Sequence, residues 1–203
     1  MQWALSLAGF AAWLYLLAAR GGFWRADILD EANAEPEPAD WPAIAVVIPA
    51  RNEAGVIGIS LASLLRQDYP RSFHVVLVDD QSDDGTEEIA KETARALGAT
   101  DRMEVVRGAA LPPGWTGKLW AMKQGVTHAR AMAPRAKYLL LTDADIAYDQ
   151  GAVRRLVARS EARGLALDSL MVKLRCESLA ERLLIPAFVF FFQMLYPFAW
   201  VNR

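Results

Sequence analysis

The sequence predicts an α/β fold in which a mainly parallel sheet has helices on both faces and is flanked by hydrophobic membrane segments. Three observations predict it. Short aliphatic runs alternate with helical patterns between residues 43 and 178, as is typical of parallel sheets. Uncharged segments of 17 and 19 residues bracket this region. Polar residues directly follow the aliphatic runs, where open sheets of this kind bind ligands.

The first strand is predicted over residues 43–49, a run of alanine, isoleucine and valine that ends at a proline. A run without polar alternation is expected of a strand covered on both faces. The following helix is predicted over residues 53–67, where apolar residues fall on one stripe. The remaining elements continue the alternation: strands at 73–78, 103–107 and 137–145, helices at 86–98, 117–134 and 151–163, and a weaker strand at 169–176.

An N-terminal membrane anchor is predicted over residues 1–25. Residues 3–19 are uncharged, and a helix of that length spans roughly 26 Å, at the short end of what crosses a bilayer. The first basic residues, Arg20 and Arg25, follow the segment, so the positive-inside rule predicts an inner-membrane protein whose domain faces the cytoplasm. A cleaved signal peptide is the alternative, but the segment lacks a basic start. Residues 26–42 are acidic and contain prolines, as a linker does.

A second hydrophobic segment is predicted over residues 179–203. Its uncharged part, residues 183–201, is long enough to span a bilayer. Pro186 and Pro197 interrupt it, so a helix lying in the membrane interface is an alternative. A buried core helix is a third interpretation, although a helix that is apolar all round needs cover on every side.

Composition disfavours several classes of function. The net charge is −2 and no run of lysine or arginine stands out, which argues against nucleic acid as a partner. The single cysteine, Cys176, excludes an intrachain disulfide framework and a cysteine-based zinc cluster. The glycine motifs of dinucleotide-binding and P-loop proteins are absent, which disfavours nicotinamide, flavin and P-loop enzymes. His74 and His128 have no partner at ligand spacing and are interpreted as structural.

Two carboxylates one residue apart, Asp143 and Asp145, follow the fourth main strand in the sequence LLLTDADI. On an extended backbone they point to the same side, and in a dry pocket they repel each other unless a cation neutralises them. Oxygen ligands at this spacing favour Mg²⁺ or Mn²⁺, and Mg²⁺ commonly binds phosphate oxygens as well. The pair predicts a metal site that holds a diphosphate. The alternative is a solvated turn in which Asp145 caps the next helix.

A second acidic cluster, DDQSDDGT, follows the second strand. Asp79 and Asp80 continue the strand and are candidates to accept hydrogen bonds from a base N–H or a ribose hydroxyl. Asp83 and Asp84 are interpreted as turn residues. A polar stretch, PARNE at residues 49–53, follows the first strand and is expected to face the same crevice.

These motifs resemble the family 2 glycosyltransferases with the GT-A fold. VVIPARNE, VLVDDQSDDGT, GWTGKLWAMKQG and LLLTDADI occur in the order and spacing of that family. The stretch PPGWTGKLWAMKQG, together with the flanking hydrophobic segments, is most similar to the hopanoid-associated branch. The resemblance implies a Rossmann-like GT-A domain over residues 43–178. It also implies inverting transfer of a sugar from a nucleotide-sugar, expected to be a UDP-sugar, to a lipid or membrane-associated acceptor.

The resemblance also implies roles for particular residues. Lys118 is in addition a candidate to neutralise phosphate, with an exposed lysine at a helix start as the alternative. The metal ligands that the resemblance implies are Asp143 and Asp145, and Asp143 is also expected to contribute to binding of the diphosphate. The nucleotide-sugar contacts that the resemblance implies are Ala50, Arg51, Glu53, Asp80, Gly117 and Lys118. The strand-end argument adds Asp79 to these contacts.

The acceptor base of the inverting enzymes is not recognisable. Asp168, Glu177 and Glu181 are the later acidic residues and lack the paired context of that base. We therefore expect the base to lie beyond Arg203, in a chain that is truncated and binds donor better than it transfers sugar. Two alternatives are a phosphohydrolase of the haloacid-dehalogenase type with Asp143 as nucleophile, and a non-catalytic, membrane-tethered nucleotide-sugar binder. Nucleotidyl transfer would use the same metal chemistry.

Overall fold

The computed structural model describes residues 2–25 and 35–201, which form two compact units. The smaller unit contains residues 2–25 and 170–201, and the larger contains residues 35–169. Of the predicted linker, residues 26–34 lie outside the described residues.

The larger unit is built on a parallel sheet of four strands in the order β3-β2-β1-β4. The strands are β1 Ile44–Ala50, β2 His74–Asp79, β3 Met103–Arg107 and β4 Tyr138–Leu141. The chain runs outward from β1 to β2 and β3 and then returns to the other side of β1 for β4. Strand order therefore reverses between β1 and β4, and a crevice opens beyond the carboxyl ends of two strands that diverge in this way.

Helices cover both faces of this sheet, as the alternating pattern predicted. One face carries α2, α3 and α5, and the other carries α4. The helices of the chain, in order, are α1 Gln2–Ala19, α2 Ile57–Leu65, α3 Thr86–Ala96, α4 Gly117–Met132, α5 Ala152–Arg163, α6 Leu179–Leu195 and α7 Phe198–Val201, with a short 3-10 turn at Thr100–Arg102.

Helix α4 lies unusually close to the sheet because a glycine faces the strands. A Cβ atom on Gly125 would lie 2.3 Å from Cγ1 of Val47 and 2.9 Å from Cγ2 of Val78. Only a residue without a side chain permits this approach. The close packing sets the position of α4, whose first turn carries Gly117 and Lys118 to the carboxyl edge of the sheet.

Two strand predictions differ from the structure. The fourth strand was predicted over residues 137–145, but β4 ends at Leu141 and residues 142–145 leave the sheet as a turn. The weaker strand at 169–176 is absent, since residues 165–177 have no helix or strand. A strand is stable only when its backbone groups bond to a neighbouring strand, and in the described chain no ladder includes residues 169–176.

In the smaller unit, α6 begins with a capping box in which the Ser178 and Glu181 side chains bond each other's backbone N–H groups. The Arg20 guanidinium donates to the carbonyl oxygens of Met194 at 3.0 Å and Leu195 at 3.1 Å. Within the described residues, Leu179–Val201 is the one stretch long and apolar enough to cross a membrane. Helix α6 has no buried residue, which removes support from the core-helix interpretation. Residues 3–19 are apolar but fall short of that length.

Candidate functional site

A cleft of about 370 Å³ lies at the carboxyl edge of the sheet, next to the point where strand order reverses. Its wall comes from the turn after β1, the end of β2, the first turns of α4 and the turn after β4. The lining residues are Pro49, Ala50, Arg51, Glu53, Asp80, Gly117, Lys118, Ala121, Asp143, Ala144 and Asp145.

The structure brings eight of the nine residues singled out from the sequence to this cleft, and Asp79 is the exception. Asp79 is 4% exposed, and its Oδ1 atom has no hydrogen-bond partner in the described part of the chain. Side chains alternate along a strand, and Val75 and Leu77 of β2 pack on the face that carries α2 and α3. Asp79 has the same parity, so its carboxylate is directed away from the face on which Asp80 meets α4.

The Asp80 carboxylate is held between two glycines. A Cβ on Gly117 would lie 3.1 Å from its Oδ2 atom, and one on Gly108 would lie 3.3 Å from its Oδ1 atom. Arg51 Nη1 lies 3.7 Å from the same Oδ2 atom. Asp80 is only 9% exposed, yet it reaches the cleft wall, where a carboxylate can accept a hydrogen bond from a ligand. Gly108 was not identified from the sequence.

Hydrogen bonds join the turn after β1 to the turn after β2. The Asp84 carboxylate accepts from the Ala54 N–H at 2.9 Å and from the Thr86 hydroxyl at 2.6 Å. The Glu53 N–H donates to Oγ1 of Thr86 at 2.8 Å. The Thr86 hydroxyl first, and then the Ala54 N–H, lower the pKa of Asp84. Asp84 is therefore more than a surface turn residue, because it fixes the segment that carries Glu53. An aspartate two residues before a helix-starting threonine is the sequence signal for such a turn.

Negative charge is concentrated where the metal is predicted. Burial raises the pKa of Glu53, and the carboxylates of Asp145, Asp84 and Asp143 raise it further, while Lys118 lowers it. Lys118 Nζ lies 2.6 Å from Oδ1 of Asp143. The Lys118 ammonium group thus already pairs with one of these carboxylates. Carboxylate oxygens are also the ligands that hard divalent ions prefer.

Asp143 and Asp145 would supply such an ion with part of its coordination. Among residues 2–25 and 35–201, three or more aspartate, glutamate, histidine or cysteine side chains are nowhere grouped to hold a metal. Mg²⁺ ordinarily keeps water and phosphate oxygens in its remaining positions, so two carboxylates are sufficient. Asp145 does not cap the next helix, since α5 begins at Ala152; this removes the alternative interpretation of that residue.

The turn that carries these aspartates is anchored by a half-buried tyrosine, Tyr148. The Tyr148 hydroxyl forms a short hydrogen bond with Oγ1 of Thr142, and the Tyr148 N–H donates to Oγ of Ser63 at 2.9 Å. Burial raises the pKa of Tyr148, so the phenol stays protonated and able to donate. No sequence pattern pointed to the bond between Tyr148 and Ser63, which joins residues far apart in the chain.

The three later acidic residues all make contacts that hold local structure. Asp168 forms two hydrogen bonds with the Arg159 guanidinium, at 2.7 and 2.6 Å. Glu177 pairs with Arg175 at 2.6 Å. Glu181 accepts the backbone N–H groups at the start of α6. None of them is an unengaged carboxylate of the kind an acceptor base requires.

Known proteins resemble this chain in sequence and in structure. It is 34% identical over 125 residues to the 4,4'-diaponeurosporenoate glycosyltransferase of Staphylococcus aureus, a match that covers 60% of this chain and 29% of that relative's length. The structure of a mannosyltransferase from Pyrobaculum calidifontis, solved with GDP-Man and Mn²⁺, superposes with a TM-score of 0.56 and 28% identity, over 77% of this chain and 42% of that one. The chain therefore spans less than half the length of either protein.

The match to a known family covers most of the chain. The family described as glycosyl transferase family 2 matches residues 45–197, a range that includes all of the sheet except Ile44, and every residue of the cleft. The parallel sheet, the position of the cleft and the structural likeness agree with the GT-A architecture. This chain belongs to glycosyltransferase family 2.

Proposed function

We propose that the cleft binds a nucleotide-sugar through a divalent metal, for transfer of the sugar to a lipid or membrane-associated acceptor. The single observation that supports this most is that Asp143, Asp145, Lys118 and Asp80 line one cleft. Two carboxylates suited to a metal and a lysine suited to phosphate occur there together with Asp80, a carboxylate that can accept a hydrogen bond from a base or a ribose. The P. calidifontis mannosyltransferase, solved in complex with GDP-Man and Mn²⁺, supports the same chemistry.

The charged residues of the cleft are proposed to contact different parts of the nucleotide-sugar. A divalent ion at Asp143 and Asp145 would offset the charge that develops on the leaving diphosphate. Lys118 is 61% exposed and pairs with Asp143, so exchanging this carboxylate for a phosphate oxygen would cost little. Asp80, held between glycines, is placed to accept an N–H group of the base or a ribose hydroxyl.

The donor base is proposed to be uracil, on the strength of the sequence motifs. Guanine offers a carboxylate such as Asp80 a comparable N–H group, and the P. calidifontis mannosyltransferase was solved with a guanine nucleotide. The binding test below therefore compares UDP-sugars with GDP-sugars.

A membrane-associated acceptor is supported by the stretch Leu179–Val201, which is long and apolar enough to cross a bilayer. The two arginines that follow residues 3–19 support a cytoplasmic domain. Inversion at the anomeric carbon is proposed from family membership alone, because Asp168, Glu177 and Glu181 are engaged elsewhere. Closer similarity to the hopanoid-associated branch stays a prediction.

The phosphohydrolase alternative loses its support. Family membership argues against it, and Asp143 lies after the fourth strand of the sheet with its Oδ1 atom paired to Lys118. Binding without transfer remains the second candidate, since no unengaged later carboxylate is found in residues 35–201.

The test is equilibrium binding of UDP, GDP, their monophosphates and their sugar conjugates by the full 203-residue chain in detergent with Mn²⁺. Lys118→Met is expected to weaken diphosphate binding by about tenfold, as for loss of an exposed charge-assisted contact, and to leave monophosphate binding nearly unchanged. Lys123→Met, on the same helix but outside the cleft, is the matched control. Equal effects of the two substitutions, or no preference for diphosphates, would count against the proposal.

A further inference from the structure

We propose that residues 109–119 and the outer surface of α4 dock on an anionic membrane surface. We call this region the basic-apolar surface. It deepens the membrane part of the proposed function, on which it rests only for the presence of a bilayer nearby. Nothing in it requires sugar transfer.

The charge of this region is opposite to that of the rest of the chain. Residues 105–142 contain no aspartate or glutamate and six basic residues, within a chain of net charge −2. Salt bridges engage Lys118 with Asp143 and Lys137 with Glu161. Among the described residues, no salt bridge joins the other four to a carboxylate; these are Arg107, Lys123, Arg130 and Arg135.

Large apolar side chains are exposed within the same region. Leu111 is 52% exposed, Trp115 is 40% exposed and Leu119 is 60% exposed. Ala109, Ala110 and Pro113 of the same segment are also exposed. Exposed apolar groups clustered this closely mark an interaction surface more often than isolated ones do.

The loop is held in place, which distinguishes it from a disordered tip. The Ala109 N–H donates to Oε1 of Gln124 at 2.8 Å, and the Trp120 indole donates to the Ala109 carbonyl at 3.1 Å. Lys123 Nζ lies 4.9 Å from the centre of the Trp115 ring and 5.1 Å from that of Trp120. Indole and lysine are thus presented together on a fixed framework.

An anionic lipid surface fits this chemistry better than a second copy of the chain does. Tryptophan and lysine are favoured at membrane interfaces because each has an apolar body and a polar end. Basic residues near a surface are attracted by anionic lipids, whereas two copies meeting through this region would set like charges against each other. Gly117 and Lys118 belong to both this surface and the cleft wall, so docking would bring the donor cleft to the level of the headgroups.

The test is an environment-sensitive fluorophore on a single cysteine in the full chain, reconstituted into neutral or anionic vesicles. Cys176 is the sole cysteine, so Cys176→Ser gives a background without thiols. The label goes on Ala110→Cys in the proposed surface, or on Ala96→Cys of α3 as the matched control; both alanines are exposed. With anionic vesicles we expect a blue shift and quenching by a lipid-borne nitroxide at residue 110, reversed by salt, and neither effect at residue 96.

A charge variant tests the cause. Lys123→Gln together with Arg130→Gln, both exposed on α4, is expected to lower the ratio of docked to undocked label by about fivefold for each residue, since a basic group near an anionic surface contributes about that factor. Leu111→Ser should reduce nitroxide quenching while the salt dependence remains.

Several outcomes would overturn the inference. These are a residue-110 label that stays aqueous in anionic vesicles, equal responses at residues 96 and 110, and a shift that depends on protein concentration without nitroxide quenching, which would indicate a second copy. The readout needs no donor, so a chain that docks but binds no nucleotide-sugar would contradict the proposed function and leave this inference standing.

Discussion

Asp80 shows how small neighbours shape a binding residue. The space for its carboxylate exists because Gly117 and Gly108 have no side chain. Gly117→Ala would place a methyl group 3.1 Å from Oδ2 of Asp80 and displace the carboxylate. An alanine in the first turn of α4 otherwise favours the helix. We therefore predict weaker nucleotide-sugar binding with an unchanged or higher thermal midpoint, measured by calorimetric titration and by thermal unfolding.

The control for this substitution is Gly58→Ala on α2, where the nearest atom to an added Cβ is 3.4 Å away, on the Ile89 side chain. It should leave donor binding unchanged. Equal binding by the Gly117→Ala chain and the wild type would show that Asp80 takes no part in holding the donor.

Glu53 makes stability depend on pH in a direction opposite to that of most carboxylates. Its pKa is raised, first by burial and then by Asp145, Asp84 and Asp143, so the folded state binds its proton more tightly than the unfolded state does. Stability is therefore lost as pH rises from the unfolded pKa through the folded one. We predict that Glu53→Gln is more stable than the wild type above this window and equal to it below. Urea unfolding over a pH series measures this.

Addition of Mg²⁺ provides a second check on Glu53. A cation at Asp143 and Asp145 opposes their effect on Glu53, so the advantage of Glu53→Gln above the window should shrink when Mg²⁺ is present. An advantage that is the same at every pH, or one unaffected by Mg²⁺, would contradict this account.

Most of the candidate site could be predicted because its residues lie in local motifs. The turn residues Arg51 and Glu53, for example, directly follow an aliphatic strand, and strand ends of a parallel sheet meet at one edge. Asp79 alone does not line the cleft, because the alternation of β2 persists to its last residue and turns that side chain away. The roles of Gly108 and Tyr148 depend on contacts between distant segments, which no local pattern reveals.

Among the elements, the paired turns after β1 and β2 show how one residue orders a site. The Asp84 carboxylate bonds to Ala54 and Thr86 across the two turns. We predict that Asp84→Ala lowers both the thermal midpoint and donor affinity, because the segment carrying Glu53 is released. The pKa of Asp84 is lowered, so its stabilisation is present above the unfolded pKa and is lost as pH falls through the folded one.

The neighbouring aspartate provides the control. Asp83 contributes its backbone N–H to Oδ1 of Asn52 at 3.0 Å, and that bond survives Asp83→Ala. Each substitution removes one aspartate carboxylate, and the two positions are adjacent. Similar losses in both would show that the acidic turn acts through its charge alone and not through the Asp84 contacts.

The approach of α4 to the sheet gives a prediction about packing. In Gly125→Ala the new Cβ would overlap Val47 and Val78, both fully buried, so the helix or the strands must shift. Overpacking of this kind costs about 1–3 kcal/mol, more than the gain of roughly 1 kcal/mol in helix propensity. Chemical unfolding should show the loss, and Gly58→Ala should not. An equally stable Gly125→Ala chain would contradict the close packing.

The elements were predictable to the extent that hydrophobic pattern determines them. The aliphatic run at residues 43–49 identified β1 because it is buried on both faces. The same argument failed at residues 142–145, which turn away from β1 after Leu141, and at residues 169–176, which pair with no strand in the described chain. Ladder pairing is a property of the sheet, which sequence periodicity alone does not report.

At the scale of the whole molecule, two features combine. The larger unit carries the cleft proposed to bind the donor and an acid-free, basic region, while the smaller unit supplies an apolar stretch long enough to cross a bilayer. Family 2 membership spans residues from both. The fold class and family were predictable from the order of four motifs, whereas the basic-apolar surface was found only when exposure was known for each side chain.

The central claim is that a divalent ion at Asp143 and Asp145 holds the diphosphate of a nucleotide-sugar. The most direct measurement is calorimetric titration of the full chain with the preferred nucleotide-sugar, with Mn²⁺ or with a chelator, for the wild type, Asp145→Asn and the control Asp83→Asn. We predict metal-dependent binding by the wild type and Asp83→Asn, and loss of the metal-dependent part in Asp145→Asn. Equal binding by all three chains with and without Mn²⁺ would contradict the account.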